Sequence, residues 1–432
     1  MKFNKWTLGL AAVGVVSLAS AARADEKMSS LQTALSNTTI SGYVSASFNW
    51  AISPGGENAL SSLGNYIPFQ GQSYNKQDGF NLDVVKLSIA KPQDESPWAS
   101  GYQIDLLFGP DAVGYNASAN AVGGNNGKAP SSTETADFAI KQAYVVLRTP
   151  IGNGIDWKVG VFDTIIGYEV FDSGSDPNYT RSWGYFLEPT EHTGVLGTYK
   201  INDEWSVALG VANTLTGSIN ARDLESGYGP AGVNGWGSAW HKTVMGSLTF
   251  TAPSSWGWAA GSSLYAGAIY GFPSGVFTIK NQGYAGDYQL NWYGGATINT
   301  PWKQLTAGLA FDYVEHFDAA PVNIWDIGLY ATYKATDKLS FSARGEYVDS
   351  DVVAAGFPSS DNPDWMELTG TMEYDLWANV ISRLEIRYDH VLDNRQYLSD
   401  ALGYAVGGDS ETPYALNNWS SIGVYANIIY KF

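Results

Sequence analysis

SIGVYANIIYKF, residues 421–432, alternates along its whole length. Ile422, Val424, Ala426, Ile428, Tyr430 and Phe432 fall on one side, and Ser421, Gly423, Tyr425, Asn427, Ile429 and Lys431 on the other. A strand sends successive side chains to opposite faces, and a lipid-facing barrel strand reads apolar outward and polar inward over about 10 residues. The same period recurs upstream. Ile40, Gly42, Val44, Ala46, Phe48 and Trp50 alternate with Ser41, Tyr43, Ser45, Ser47 and Asn49. Leu305, Ala307, Leu309, Phe311 and Tyr313 alternate with polar and small residues, as do Met366, Leu368, Gly370, Met372 and Tyr374. Aromatic rings sit near the ends of many of these faces, among them Trp50, Tyr313, Tyr347 and Tyr374, where an interfacial girdle would place them.

Composition agrees. Of 432 residues, 15% are charged and 14% aromatic, with 48 Gly and no Cys. Soluble domains carry about 25% charged residues. The low charge argues against helical bundles and solvated α/β domains, and the 44% hydrophobic content argues against disorder. Without Cys there is no disulfide framework, Cys-containing zinc site or thiol nucleophile. A net charge of −18 lacks the basic footprint of a nucleic-acid partner.

The first 24 residues read as an export signal. Lys2 and Lys5 precede the apolar stretch Leu8–Ala22, and Ala22-Arg23-Ala24 offers a small-x-small cleavage site. That stretch is shorter than the roughly 20 residues a transmembrane helix needs, and no later segment is long and apolar enough. Cleavage leaves a mature chain of charge −21. Residues 25–39 read as a short, flexible periplasmic lead, although Met28, Leu31 and Leu35 also fit a turn or two of helix in the lumen. Residues 40–432 form the expected transmembrane barrel, a single all-β unit.

The periodicity predicts sixteen strands, at 40–50, 80–90, 100–108, 137–148, 155–163, 193–200, 204–212, 242–251, 258–270, 287–299, 304–314, 323–334, 338–349, 365–375, 379–389 and 419–432. An even number returns both termini to the periplasm. Connections after odd strands are long, such as 51–79, 164–192 and 390–418. Those after even strands are short, such as 201–203, 335–337 and 376–378. Long extracellular loops and short periplasmic turns are the habit of outer-membrane barrels. The competing fold, a soluble β-sandwich, has shorter strands of about 5–6 residues and no cause for this asymmetry.

The inward face is charged. Alternation places Lys86, Asp105, Lys158, Asp312, Asp326, Arg344, Glu346, Glu367, Glu373, Arg383, Glu385 and Arg387 in the lumen. Facing lipid, a midplane charge would cost about 2–4 kcal/mol. A water-filled lumen can hold such groups, and barrels of about 16–18 strands leave an aqueous channel. The connection after the fifth strand reads TIIGYEVFDSGSDPNYTRSWGYFLEPTEH, residues 164–192. It sets Glu169, Asp172, Asp176, Glu188 and Glu191 against Arg181, and carries Tyr168, Phe171, Tyr179, Trp183, Tyr185 and Phe186. So many aromatics point to a loop folded into the barrel, rings on the wall and carboxylates toward the pore. Carboxylates there would attract cations. The competing reading is a surface loop whose rings pack on its neighbours.

Short motifs carry a family resemblance. They are Thr38-Thr39-Ile40-Ser41-Gly42-Tyr43, Val159-Gly160-Val161-Phe162-Asp163-Thr164 with Gly167-Tyr168-Glu169, Asn178-Tyr179-Thr180-Arg181-Ser182, and His192-Thr193-Gly194-Val195. With them the chain resembles the OmpL-like β-barrel porins across most of its mature length. The resemblance implies passive transport through the outer membrane. The long fifth-strand loop also resembles the inward-folded loop of general trimeric porins with sixteen strands, which implies a homotrimer. Phe432, with Tyr430 and Ile428 at alternate positions before it, is similar to the C-terminal signal read by the barrel assembly machinery.

Enzyme chemistry has little support. His192, His241, His316 and His390 form no HExxH or paired metal-ligand spacing, and there is no GxSxG or P-loop. His390 beside Asp389, or His316 after Glu315, could join a triad by geometry alone, but hydrogen-bonding histidines are the ordinary reading. Asp349 with Asp351 and Asp361 with Asp364 lack an EF-hand pattern and read as solvated loop. No metal or cofactor is expected. The sequence therefore reads as a porin in outer-membrane lipid, passing small hydrophilic solutes and ions with a preference for cations. The alternatives are a substrate-selective channel, for instance for sugars, and a closed barrel for surface binding or adhesion, with an outer-membrane enzyme last.

Overall fold

The computed structural model describes residues 37–52, 76, 78–115, 138–215, 219, 241–272, 288–316, 322–352, 364–392 and 420–432. The expected export signal, most of the periplasmic lead and most of the other long connections lie outside the described residues.

The alternating segments form sixteen strands. They are β1 (Thr39–Ile52), β2 (Gly79–Lys91), β3 (Ser100–Phe108) and β4 (Phe138–Thr149). Then come β5 (Ile155–Asp163), β6 (Glu191–Lys200), β7 (Trp205–Ala212) and β8 (Thr243–Thr251). β9 (Ser263–Gly271), β10 (Gln289–Asn299), β11 (Leu305–Glu315) and β12 (Val322–Lys334) follow. The last four are β13 (Leu339–Val352), β14 (Asp364–Trp377), β15 (Val380–Val391) and β16 (Ser420–Lys431). Each strand pairs antiparallel with its sequence neighbours, and β1 pairs with β16 to close the barrel. Closure leaves no unpaired edge, which hydrocarbon would not tolerate. In β16, Ile428 and Tyr430 are exposed on the outer surface, while Tyr425, Asn427 and Ile429 are buried inside.

Many boundaries differ from the sequence reading by a few residues, and two of the differences reassign residues that matter. β9 begins at Ser263 rather than 258 because Ser254–Ala259 is a 3-10 turn. Gly257 (φ 60°) and Gly261 (φ 81°) take left-handed backbone there, which glycine adopts freely and which ends extended structure. Trp258, read as the first strand residue, instead lies in that turn, exposed like Trp256. β6 begins at Glu191, so Glu191 and His192 belong to the wall and not the loop.

Two bulges change what faces inward. The β1–β2 register shifts at Ser45/Ala46, leaving Asp83 as the extra residue. Asp83 turns inside and accepts hydrogen bonds from Ser45 and Ser47, both at 2.7 Å. The β3–β4 register shifts at Asp105/Leu106, where Lys141 is the extra residue and is buried inside. A bulge breaks the two-residue period and re-aims a side chain.

The closing seam is tight. Gly42 N donates to Phe432 O and Phe432 N donates to Gly42 O, both at 2.9 Å. A Cβ at Gly42 would run into Lys86 O of β2 on one side and lie 2.8 Å from Phe432 Cζ on the other. Gly42→Val should therefore force the seam apart, at about 1–3 kcal/mol for an overpacked site. A lower urea midpoint for loss of the compact gel band would show it, and an unchanged midpoint would count against the seam as described.

Candidate pore constriction

After β5 the chain turns into the barrel and stays there until β6. Ile165 and Ile166 pack with Phe162, Leu196, Ile269 and Tyr293 of the wall. Gly167 (φ 115°) turns the chain, and Tyr168 stacks on Tyr330 with centroids 4.1 Å apart. Phe171 then packs with Tyr43, Leu107 and Ile429 on the far side of the lumen. A short helix α1 (Trp183–Leu187) follows, capped by the Ser182 hydroxyl, which accepts from Tyr185 N at 3.0 Å. Leu187 joins Val314, Ile324 and Val348, and Trp183 meets Trp365 edge-on. The rings thus anchor the loop, as a chain with an apolar stretch inside a polar lumen requires.

Charged groups of β13–β15 hold the loop backbone between those anchors. Glu385 accepts from Tyr179 N at 2.6 Å and Thr180 N at 2.9 Å. Glu346 accepts from Trp183 N at 2.8 Å. Arg344 Nη1 donates to Thr180 O at 2.7 Å, and Arg383 Nη2 donates to Asp176 O at 3.1 Å. Arg387 Nη1 donates to Arg181 O. Asn178 Nδ2 donates to Thr371 Oγ1 at 2.7 Å. Bonds with one ionised partner are about twice as strong as neutral ones, so this ladder fixes the loop firmly.

The loop carboxylates mostly turn toward the wall. Glu169 is buried, 2.8 Å from Arg344 Nη1, and accepts from Ser182 N at 2.9 Å. Asp176 pairs with Arg181 and accepts from Val170 N at 2.9 Å. Burial nevertheless pushes the Asp176 carboxyl up to about 7. Glu188 is buried beside Asp312 and Asp326; that burial, then the Asp312 charge, holds it well above the usual carboxylate range. Glu191, on β6, lies 3.8 Å from Lys141. Asp172 behaves differently. Burial opposes its charge, but both its oxygens lie 2.8 Å from Lys86 Nζ, which holds it below the usual range. Its side chain keeps 38% exposure, while Glu169 has none.

The wall residues form pairs of their own. Lys86 also reaches Asp105 at 3.2 Å, and Lys158 sits 4.7 Å over the Tyr144 ring. Arg344 contacts Glu367 at 3.1 Å, and Arg383 contacts Glu373 at 2.7 Å. Arg387 contacts Asp389 at 2.8 Å. Asp312 and Asp326 stand directly opposite one another on β11 and β12.

These elements together, a closed sixteen-strand wall with a loop seated inside it, match known proteins. A family model described as "Putative beta-barrel porin-2, OmpL-like" covers residues 37–431. The chain belongs to this OmpL-like porin family. Among solved structures, OmpT of Vibrio cholerae is 13% identical, with TM-score 0.52 over 91% of this chain and 97% of its own. An anion-selective porin from Comamonas acidovorans is 12% identical, with TM-score 0.51 over 91% and 99%. OmpF of Salmonella typhi, in complex with daunomycin, is 12% identical, with TM-score 0.51 over 91% and 97%. These structures share the fold. No curated protein matches the sequence.

Membership places this porin among outer-membrane channels and not among enzymes. His390 stacks on Tyr388 and His316 lies against Tyr288, at the ends of their strands. Among the described residues no group of three or more His, Asp or Glu side chains is placed to hold a metal ion. Sequence reasoning missed Asp83 and Lys141, named Asp389 only beside His390, and missed Lys76, which sits 3.1 Å from Asp83 and 2.9 Å from Asp111. The bulges hid the first two. Nothing local marks Lys76, whose partners come from β2 and from the turn after β3.

Proposed function

We propose that this porin passes small hydrophilic solutes and ions by diffusion and prefers cations. One asymmetry supports the preference. In three ion pairs of the interior the carboxylate meets water and its cation lies underneath. Asp172 is 38% exposed over Lys86 at 9%, Asp163 is 26% over Lys141 at 3%, and Glu373 is 26% over Arg383 at 1%. A passing ion meets carboxylate oxygens first. An anion-selective relative at 12% identity shares the fold and does not decide the matter.

The test is the reversal potential of single channels in a salt gradient. Cation preference is expected, and anion preference would refute the reading. Asp172→Asn should reduce the cation-to-anion permeability ratio. A unit charge about 4 Å from an ion is worth about 1 kcal/mol in water, roughly fivefold in that ratio. An unchanged ratio would take Asp172 off the ion path.

The remaining assignments belong to the same proposal. Residues 1–24 direct export and are removed, and 25–39 stay on the periplasmic side; the mass of the mature protein checks both. Ile428, Tyr430 and Phe432 are the surface offered to the assembly machinery, and three copies form the working unit. The trimer form of Vibrio cholerae OmpT, 14% identical, supports the last point by fold alone. Cross-linking in membranes should give a three-chain band.

A further inference from the structure

We infer that the seam between α1 and strands β11 and β12 is a pH-operated latch, docked when Glu188, Asp312 and Asp326 share protons and released as they ionise. The inference rests on the channel reading above.

The seam brings three carboxyls together. Asp312 and Asp326 face each other across the strand pair. Like charges directly opposite on a sheet are destabilising. Both reach toward Gly184 of α1: a Cβ there would lie 2.9 Å from Asp312 Oδ2 and 3.0 Å from Asp326 Oδ2. Only glycine lets the helix come so near. Glu188 follows α1 and hydrogen-bonds to Asp312. Two carboxyl groups can make that bond only with a proton on one of them. Neither oxygen of Asp326, nor Asp312 Oδ2, finds a hydrogen-bond partner among the described residues. Asp312 and Asp326 are each 1% exposed.

The cation that acts on Asp326, Arg344, is already committed elsewhere. Arg344 of β13 is shared among Glu169, Glu346 and Glu367. Lys141 of β4 serves Asp163 and Glu191. β10 offers the Tyr293 phenol, and Asn291, which donates to Leu187 O at 2.8 Å. The other groups turned to the seam, Glu169, Glu346 and Glu367, are acidic. Elsewhere the loop is bound by opposite charges. Here the carboxyl contacts hold only while protons are present.

The direction follows from linkage. Glu188 is held above the usual carboxylate range when docked and would be ordinary when hydrated. The docked loop then binds more protons, so docking is strongest below the ordinary range and is lost as pH rises through the raised value. Asp176, pushed up to about 7 by burial, works the same way. Asp172 is held low by Lys86 and works oppositely, but it titrates only at the acid end. Release belongs on the neutral-to-alkaline side.

The experiment uses the full mature protein in planar bilayers, with both chambers stepped from pH 5 to pH 9. Conductance should at least double across the range. Glu188→Gln with Asp326→Asn should hold it at the low value throughout. A disulfide between Asn178→Cys and Thr371→Cys, in a chain with no other cysteine, should do the same until reduced. A flat wild-type profile overturns the latch. So does a pH rise that survives the oxidised tether, since the change would then be pore charge and not loop movement. A folded barrel that never conducts would refute the channel reading instead. The latch is then tested by trypsin alone, because Arg181 is the one tryptic site between Thr164 and Thr190. The cut there should quicken about tenfold from pH 6 to pH 9 in the wild type but not in the doubly substituted variant, after correction against unfolded substrate. Equal rates overturn it.

Discussion

Arg344→Met should release the loop while the barrel stays closed. The guanidinium is fully buried and reaches Glu169 at 2.8 Å, Glu367 at 3.1 Å and Glu346 at 3.4 Å. It also donates to Thr180 O at 2.7 Å. Methionine fills similar space and offers no donor. Three carboxylates and a loop carbonyl then lose their partner in a buried site. Breaking a buried ion pair from one side costs about 3–5 kcal/mol. The backbone ladders of β12, β13 and β14 do not depend on Arg344, so the cost falls on docking. Conductance should rise severalfold, and Arg181 should become open to trypsin even at acid pH. Arg344→Lys should rescue poorly, because one ammonium cannot reproduce a planar fork of five donors. A variant with wild-type conductance and a protected Arg181 would mean that the aromatic anchors hold the loop alone.

The sequence made the wall legible because the wall obeys a local rule. Ile422 to Phe432 alternate, and the structure turns them alternately in and out. The same rule located all sixteen strands. It failed where one residue breaks the period. Asp83 and Lys86 differ in phase, so both cannot point inward on a regular strand, yet the β1–β2 bulge allows it. Lys141 beside Gln142 is the same case on β4. The loop was half legible. Its six aromatics foretold an inward fold, since rings need cover. The direction of its carboxylates was not foretold, because it depends on partners remote in sequence. Glu169 is 175 positions from Arg344, and no spacing links them. The helix α1 spans only five residues, too few for a periodic signal.

Deleting residues 168–188 separates what the loop contributes from what the wall contributes. The hairpin should survive. Asp163 of β5 pairs with Glu191 of β6, and Thr164–Gly167 with Pro189 and Thr190 remain to join them. A connection of that length is ordinary between antiparallel strands. The deletion strips Phe171 from Tyr43, Leu107 and Ile429, and Leu187 from Val314, Ile324 and Val348. It also frees Arg344, Arg383 and Arg387 from the loop carbonyls. The barrel should therefore unfold at lower urea but still assemble, since its strand ladders are untouched. Conductance should rise severalfold, more than in Arg344→Met, because the chain is gone and not merely loosened. Ion preference should keep its sign. The loop takes away Glu169, Asp172, Asp176 and Glu188 with Arg181, but Asp312, Asp326, Glu346, Glu367 and Glu373 stay on the wall. The pH dependence of conductance should vanish, because no docked state remains to bind protons. A reversal toward anions would place the selectivity in the loop alone, with the wall arginines dominating once it is gone. An unchanged conductance would place the narrowest point elsewhere in the barrel.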